Sequence, residues 1–298
     1  MSILVDNNTK VVIQGITGRE ASEKLPEMLE YGTDIVAGVT PGKGGQEVEG
    51  VPVYDTVEEA LDDHPQINTS LVYVPPSAAK DAVFEAIEND IELVNVVTER
   101  VPTKDSWKIH EKAEEKDVRV VGPTSVGIIS PGKCKLGPIG GSRPEKVYKP
   151  GKIGIVSKSG GMTTETAWVV RQAGFGVSTA IGLGGDRIEC TTFADALKMF
   201  ESDDQTEAAV IFGELGGTYE NKAAELIEQG AFSKPLVAFI AGKFTEEMPS
   251  QRYGHAGAVI REDTDKPSYK EKRLREAGAQ VADFHHEIGD MIENLEIQ

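Results

Sequence analysis

The sequence predicts an α/β protein of two doubly wound parallel-sheet units, and three observations predict it. Short runs rich in branched apolar residues alternate with longer amphipathic stretches through all 298 residues. Glycine-rich turns follow several of those runs, as in sheets whose ligands gather beyond the carboxyl ends of the strands. A stretch dense in Gly, Pro and Lys, residues 130–152, divides the alternation into two sets. The boundary is placed near Glu145, giving units of 1–145 and 146–298, and the length suffices for two cores.

In the first set, residues 10–14, 35–39, 70–74, 93–98 and 118–121 read as strands. Between them, 23–31, 57–62, 78–89 and 106–116 carry helical spacing. The second set has strands at 153–156, 177–181, 208–212 and 236–240, with helices at 162–173, 193–201, 221–229 and 269–277. No repeat at the level of residues relates the halves.

Composition excludes several classes. The formal net charge of −18 argues against nucleic acid, because phosphate backbones need a basic surface. An anionic ligand must therefore be held by local features that overcome the global field. No apolar run approaches the roughly 20 residues of a membrane span. No basic segment followed by an apolar one marks a secretory signal, so a cytoplasmic protein is expected. Cys134 and Cys190, the only cysteines, lie too far apart in sequence for a metal motif, and no metal site is expected.

The first strand runs into Gly15-Ile16-Thr17-Gly18-Arg19-Glu20-Ala21 and then a helix. Such a turn offers backbone N–H groups and the helix dipole to a phosphate. Its glycines do not follow the G-x-G-x-x-G of dinucleotide enzymes, and the next strand ends in Val39-Thr40-Pro41-Gly42-Lys43-Gly44-Gly45 without the ribose-binding acid. Lys43 on a glycine-bracketed loop suits a nucleotide phosphorylated on its ribose, as coenzyme A is, and NAD is disfavoured. A tight structural turn remains the plain alternative.

The second set holds three glycine clusters after strands: Ser157-Lys158-Ser159-Gly160-Gly161, Gly182-Leu183-Gly184-Gly185-Asp186 and Gly213-Glu214-Leu215-Gly216-Gly217. The first joins hydroxyls to a helix N-terminus, an anion site or a simple cap and turn. One of five histidines, His255, stands among small neighbours in Arg252-Tyr253-Gly254-His255-Ala256-Gly257-Ala258. An imidazole so placed serves as nucleophile, base or ligand, or packs at a tight turn. Glu214 is either a solvated loop residue or the acceptor that fixes the imidazole tautomer. The glycine clusters and His255 are expected to converge at one edge of the second unit.

These motifs, with Tyr73-Val74-Pro75-Pro76 and Val97-Thr98-Glu99, resemble the succinyl-CoA synthetase α-subunit family over nearly the whole chain. The resemblance implies a Rossmann-like CoA-binding domain followed by a flavodoxin-like domain. It implies that Thr17, Gly18, Arg19, Glu20, Lys43, Val97, Thr98 and Glu99 contact CoA. It assigns His255 the phosphoryl group and Glu214 its support, with Ser157, Ser159, Gly160 and Gly161 near phosphate or substrate. ATP or GTP with Mg²⁺ would sit on an ATP-grasp-type β subunit, in an αβ or α2β2 assembly.

Some positions depart from the family pattern. Thr164 stands where a tyrosine is common, and Arg261-Glu262-Asp263-Thr264-Asp265 replaces a glycine-rich stretch after the histidine. Gly122-Pro123-Thr124-Ser125-Val126-Gly127, Pro138-Ile139-Gly140-Gly141, Ser159-Gly160-Gly161-Met162 and Gly184-Gly185-Asp186-Arg187 resemble ATP-citrate lyase and citryl-CoA synthetase. Arg187 either pairs with an additional carboxylate or is a plain surface arginine in a loop; succinate leads as the acid substrate on overall resemblance, with citrate or malate close behind. A dehydrogenase is disfavoured by the missing ribose acid. A non-catalytic CoA-binding protein would not need His255, Glu214 and the Ser159 turn together.

Overall fold

A computed structural model describes residues 2–248, 253–295 and 297. The first unit comprises β1 (Lys10–Gln14), α1 (Arg19–Tyr31), β2 (Asp34–Val39), β3 (Glu47–Val48), β4 (Val51–Tyr54), α2 (Val57–Asp63), β5 (Thr69–Val72), α3 (Ala79–Glu88), β6 (Leu93–Val96), α4 (Thr103–Lys116) and β7 (Arg119–Val121). Its sheet order is β3-β4-β2-β1-β5-β6-β7, parallel except for the short edge strand β3. Counting parallel strands alone, this is the 3-2-1-4-5-6 order of dinucleotide-type folds.

The second unit holds β8 (Gly127–Ser130), β9 (Cys134–Leu136), β10 (Pro150–Ser157), α5 (Gly160–Gln172), β11 (Val177–Gly182), α6 (Phe193–Glu201), β12 (Ala208–Glu214), α7 (Tyr219–Glu228), β13 (Leu236–Ala241), α8 (Pro267–Glu276), β14 (Gln280–Ala282) and α9 (Glu287–Glu293). The order β14-β13-β12-β10-β11-β8-β9 contains the flavodoxin-like 2-1-3-4-5 order, read from its other edge, and adds an antiparallel hairpin at one side.

That hairpin alters the sequence-based boundary. The chain leaves the first sheet at Val121 and enters the second at Gly127, ahead of Glu145. Short strands in a segment dense in Gly and Pro carry no alternation long enough to read. Their pairing with β11 is a tertiary matter.

Apolar spacing explains how the units join. Helix α1 buries Ala21, Leu25 and Met28 on one stripe and packs on β9. Complete burial of Leu25 and Met28 contributes about 2 kcal/mol each. Thr33 Oγ1 donates to Lys135 O at 2.7 Å and accepts from Lys135 N at 3.1 Å, so the join is hydrogen-bonded as well. Helix α6 starts where Thr192 Oγ1 accepts from Asp195 N while the Asp195 carboxylate accepts from Thr192 N, a reciprocal cap. No helix among the described residues is long and apolar enough to cross a membrane.

Candidate active site

Strands β10, β11 and β12 lie side by side, and the loops at their carboxyl ends form one edge of the second sheet. Strand β12 extends to Glu214, so this carboxylate sits on a buried strand end instead of a solvated loop. His255 arrives on the loop after β13, and its Nδ1 lies 2.8 Å from Glu214 Oε2. A carboxylate only accepts, so Nδ1 carries a proton and donates it. In the neutral ring Nε2 then holds the lone pair; among the described residues it has no hydrogen-bond partner. The bond to Glu214 raises the imidazole pKa above its ordinary value, against the opposing effect of burial. Arg252, at the head of the His255 segment, lies outside the described residues.

Glycine makes this placement possible. A Cβ on Gly185 would stand 2.3 Å from Cγ and Nδ1 of His255. One on Gly216 would stand 2.2 Å from Gly257 O. Gly257 N also donates to Gly185 O at 3.0 Å. The two glycine clusters therefore meet the His255 loop with no room for side chains, the convergence expected from the sequence.

A buried charge network lies behind Glu214. Lys158, 1% exposed, brings Nζ to 3.8 Å from Glu214 Oε1 and 3.6 Å from Glu189 Oε1, and stands 5.0 Å above the Tyr219 ring. Burial works against its charge, but Glu189, Glu220 and Glu214 outweigh it and hold the ammonium above its ordinary range. Burial pushes the Glu189 carboxyl up to about 8, against the attraction of Lys158. Lys270 donates to Glu220 Oε2 at 2.6 Å, to Glu214 O at 2.8 Å and to Gly216 O at 2.6 Å. Glu220 Oε1 accepts from Glu214 N at 3.1 Å, which fixes the backbone of the glutamate facing the histidine. Among the described residues no group of three or more His, Cys, Asp or Glu side chains is placed to hold a metal ion.

The serine turn differs in detail from its sequence reading. Gly160 and Gly161 form the first turn of α5, not a turn preceding it. A Cβ on Gly160 would reach Val126 Cβ at 3.0 Å, so the glycine serves close packing. The Ser157 hydroxyl is taken up inside the turn, donating to Ser159 O at 2.9 Å and accepting from Ser159 N at 3.1 Å. Ser159 makes no side-chain cap bond, which leaves the N–H groups of the first turn uncapped. Thr164 Oγ1 lies 3.3 Å from the hydroxyl of buried Tyr148. Arg187 is exposed and donates from Nε to Ala256 O at 3.3 Å, beside the histidine.

In the first unit, Gly18, Arg19, Glu20, Val97, Thr98 and Glu99 line one cleft of about 910 Å³. Thr17 lines an adjoining cleft of about 500 Å³, with Val39, Pro41, Val74, Pro75 and Ala78 among its walls. The Thr98 hydroxyl is committed to Val74 O at 2.8 Å. Lys43 borders neither cleft; Asp55 Oδ1 accepts from its backbone N at 2.9 Å and from Gly44 N at 2.8 Å, holding an exposed loop. These clefts fit coenzyme A: Gly18 caps α1 without a side-chain bond, leaving N–H groups for phosphate. Gly15, at φ +85°, lets the turn approach Tyr73, where a Cβ would sit 3.1 Å from backbone atoms. The apolar cleft beside it suits a base.

Residues 6–100 match the CoA binding domain and residues 156–282 match the CoA-ligase domain. The chain is 48% identical, over 95% of its length and 94% of the relative's, to succinate–CoA ligase [ADP-forming] subunit alpha 1 of Archaeoglobus fulgidus. The chain belongs to this ligase α-subunit family. It is also 43% identical, over 99% of its length and 98% of the relative's, to an ADP-forming sulfoacetate-CoA ligase subunit of an Acholeplasma species. Among solved structures, ATP citrate lyase from Methanothrix soehngenii in complex with citrate and coenzyme A superposes with a TM-score of 0.91 at 27% identity. That match covers 98% of this chain, which spans 50% of the lyase chain.

As a member of an acid–thiol ligase family, the chain carries its CoA-binding domain ahead of its ligase domain. Sequence reasoning missed Lys158, Glu189, Glu220 and Lys270 as parts of the site. Lysines and glutamates in polar surroundings read as solvated, and only the fold reveals that these four are buried together.

Proposed function

We propose that this chain is the histidine-phosphorylated α subunit of a nucleoside-triphosphate-dependent acid–CoA ligase, acting in the cytoplasm with an ATP-grasp-type β subunit as αβ or α2β2. The observation that carries this reading is the His255–Glu214 pair at 2.8 Å, with Nε2 free of hydrogen bonds among the described residues. Glu214 holds the Nδ1 proton, so the Nε2 lone pair attacks the γ-phosphorus of ATP or GTP bound with Mg²⁺ on the partner. The bond to the β,γ-bridging oxygen breaks and the nucleoside diphosphate departs with the electron pair. The Glu214 carboxylate balances the positive charge that develops on the ring.

An oxygen of the acid substrate's carboxylate next attacks the phosphoryl group, and the N–P bond electrons return to Nε2. The N–H groups opening α5, with Ser159, Gly160 and Gly161, stabilise the phosphoryl oxygens. CoA, held by the clefts of the first unit, supplies the thiol that attacks the acyl-phosphate carbonyl: the C–S bond forms, the bond from that carbon to the phosphate oxygen breaks, and inorganic phosphate leaves with the electron pair as the thiol gives up its proton. Gly18 and Arg19 at the start of α1 serve its phosphates, while Val97 and Glu99 flank it.

Succinate is the leading acid, on the names of the relatives. Citrate or malate is the second reading, favoured by Arg187 on the loop bonded next to His255. The test is to co-express the chain with its β subunit, label it with γ-labelled ATP and chase with each acid plus CoA. Discharge by succinate supports the first reading, discharge by citrate or malate alone the second. Absence of any acid-labile label contradicts both.

A further inference from the structure

Between the His255 loop and the amino end of α7 lies a cavity of about 560 Å³ that the phosphotransfer chemistry does not use. Its walls include Lys158, Arg187, Thr218, Tyr219 and Arg261. The cations have bonding capacity left. Lys158, 1% exposed, makes no hydrogen bond from Nζ among the described residues; its carboxylate neighbours at 3.6 and 3.8 Å stand too far for one.

Neither Arg187 nor Arg261 forms an ion pair among the described residues, in a chain whose net charge is −18. Arg187 spends only Nε, on Ala256 O. Thr218 caps the ten-residue helix α7 with no side-chain bond, leaving N–H groups at that end uncapped. The three acidic groups at the rim each accept from another group: Asp265 Oδ2 from Arg261 N at 2.9 Å, Asp186 Oδ2 from the Thr124 hydroxyl at 2.6 Å, and the Glu262 side chain from the Asp265 backbone N–H. Arg187 and Arg261 also belong to two of the segments at which the sequence leaves the common family pattern.

We propose that this cavity is an oxyanion subsite, built from Lys158, Arg187, Arg261 and the amino end of α7, that binds a carboxylate, sulfonate or phosphate group. The group comes either from the far end of an acid substrate with two acidic groups or from free phosphate. Charge-assisted bonds to two guanidinium groups give the planar, forked recognition that such oxyanions require. Binding here does not depend on His255 being phosphorylated, so it is tested apart from the ligase reading.

The experiment titrates the full chain with inorganic phosphate and, separately, with succinate, by calorimetry at low ionic strength. The wild type is compared with Arg187→Ala, Arg261→Ala and His255→Asn, each checked for a native circular dichroism spectrum. Saturable binding that weakens about tenfold in each arginine variant and persists in His255→Asn is the expected result, a tenfold change being 1.4 kcal/mol. Weakening for succinate assigns the subsite to the substrate's far end, and weakening for phosphate alone assigns it to the free anion. Binding that both arginine variants leave unchanged, or no saturable binding of either anion, overturns the proposal.

Discussion

At the scale of single residues, one hydrogen bond sets what His255 can do. Its reactive form has a proton on Nδ1 and none on Nε2. Because the bond to Glu214 raises the pKa above the ordinary value of about 6.5, the phosphorylation rate should climb with pH through a point above that value. Glu214→Gln removes the raising charge, so the climb should move to lower pH while the plateau falls by about 10²–10⁴-fold. Single-turnover phosphorylation across pH 5 to 9 checks this, and an unshifted profile would contradict it. Gly185 is equally exacting. Its Ala variant puts a methyl 2.3 Å from the imidazole and should lower phosphorylation about 10²-fold, with a melting temperature close to wild type. Sequence made His255, Glu214 and the glycines legible because small residues after strands are rare without cause. It did not reveal that Ser157 closes its own turn, since one hydroxyl looks like another in a string of letters.

At the scale of elements, the network behind the site ties β12 to α7 and α8. Lys270 on α8, fully buried, reaches two carbonyls at the β12 end and the fully buried Glu220 carboxylate of α7. Burial alone would raise the Glu220 carboxyl, yet Lys270 and Lys158 hold it below its ordinary range. Lys270→Met would leave that carboxylate unanswered, at a cost of about 3–5 kcal/mol, measurable by urea unfolding. A loss under about 1 kcal/mol would show that the pair is dispensable. The long elements were readable from periodicity: α6, residues 193–201, needs no adjustment. Strands β3, β4, β8, β9 and β14, each of two to four residues, were not. Their apolar runs are too short for a period, and pairing with distant strands decides them.

At the scale of the whole molecule, two sheets of known order meet through α1 and β9, in a chain with a marked acidic excess. A net charge of −18 destabilises the compact state by self-repulsion, which salt screens within a Debye length of about 10 Å at 0.1 M. The melting temperature should therefore rise as KCl increases from about 0.01 to 0.5 M; a fall would show that paired charges outweigh the repulsion. Against that field His255 sits between glycine and a carboxylate, and we propose that Nε2 of His255 is phosphorylated there. The decisive measurement is to incubate the chain and its β subunit with ATP and Mg²⁺ and locate the phosphoryl group by ³¹P NMR and peptide mass spectrometry. The account predicts a single acid-labile phosphate on Nε2 of His255 that is absent in His255→Asn. Phosphate on Nδ1, on another residue, or on nothing at all would contradict it.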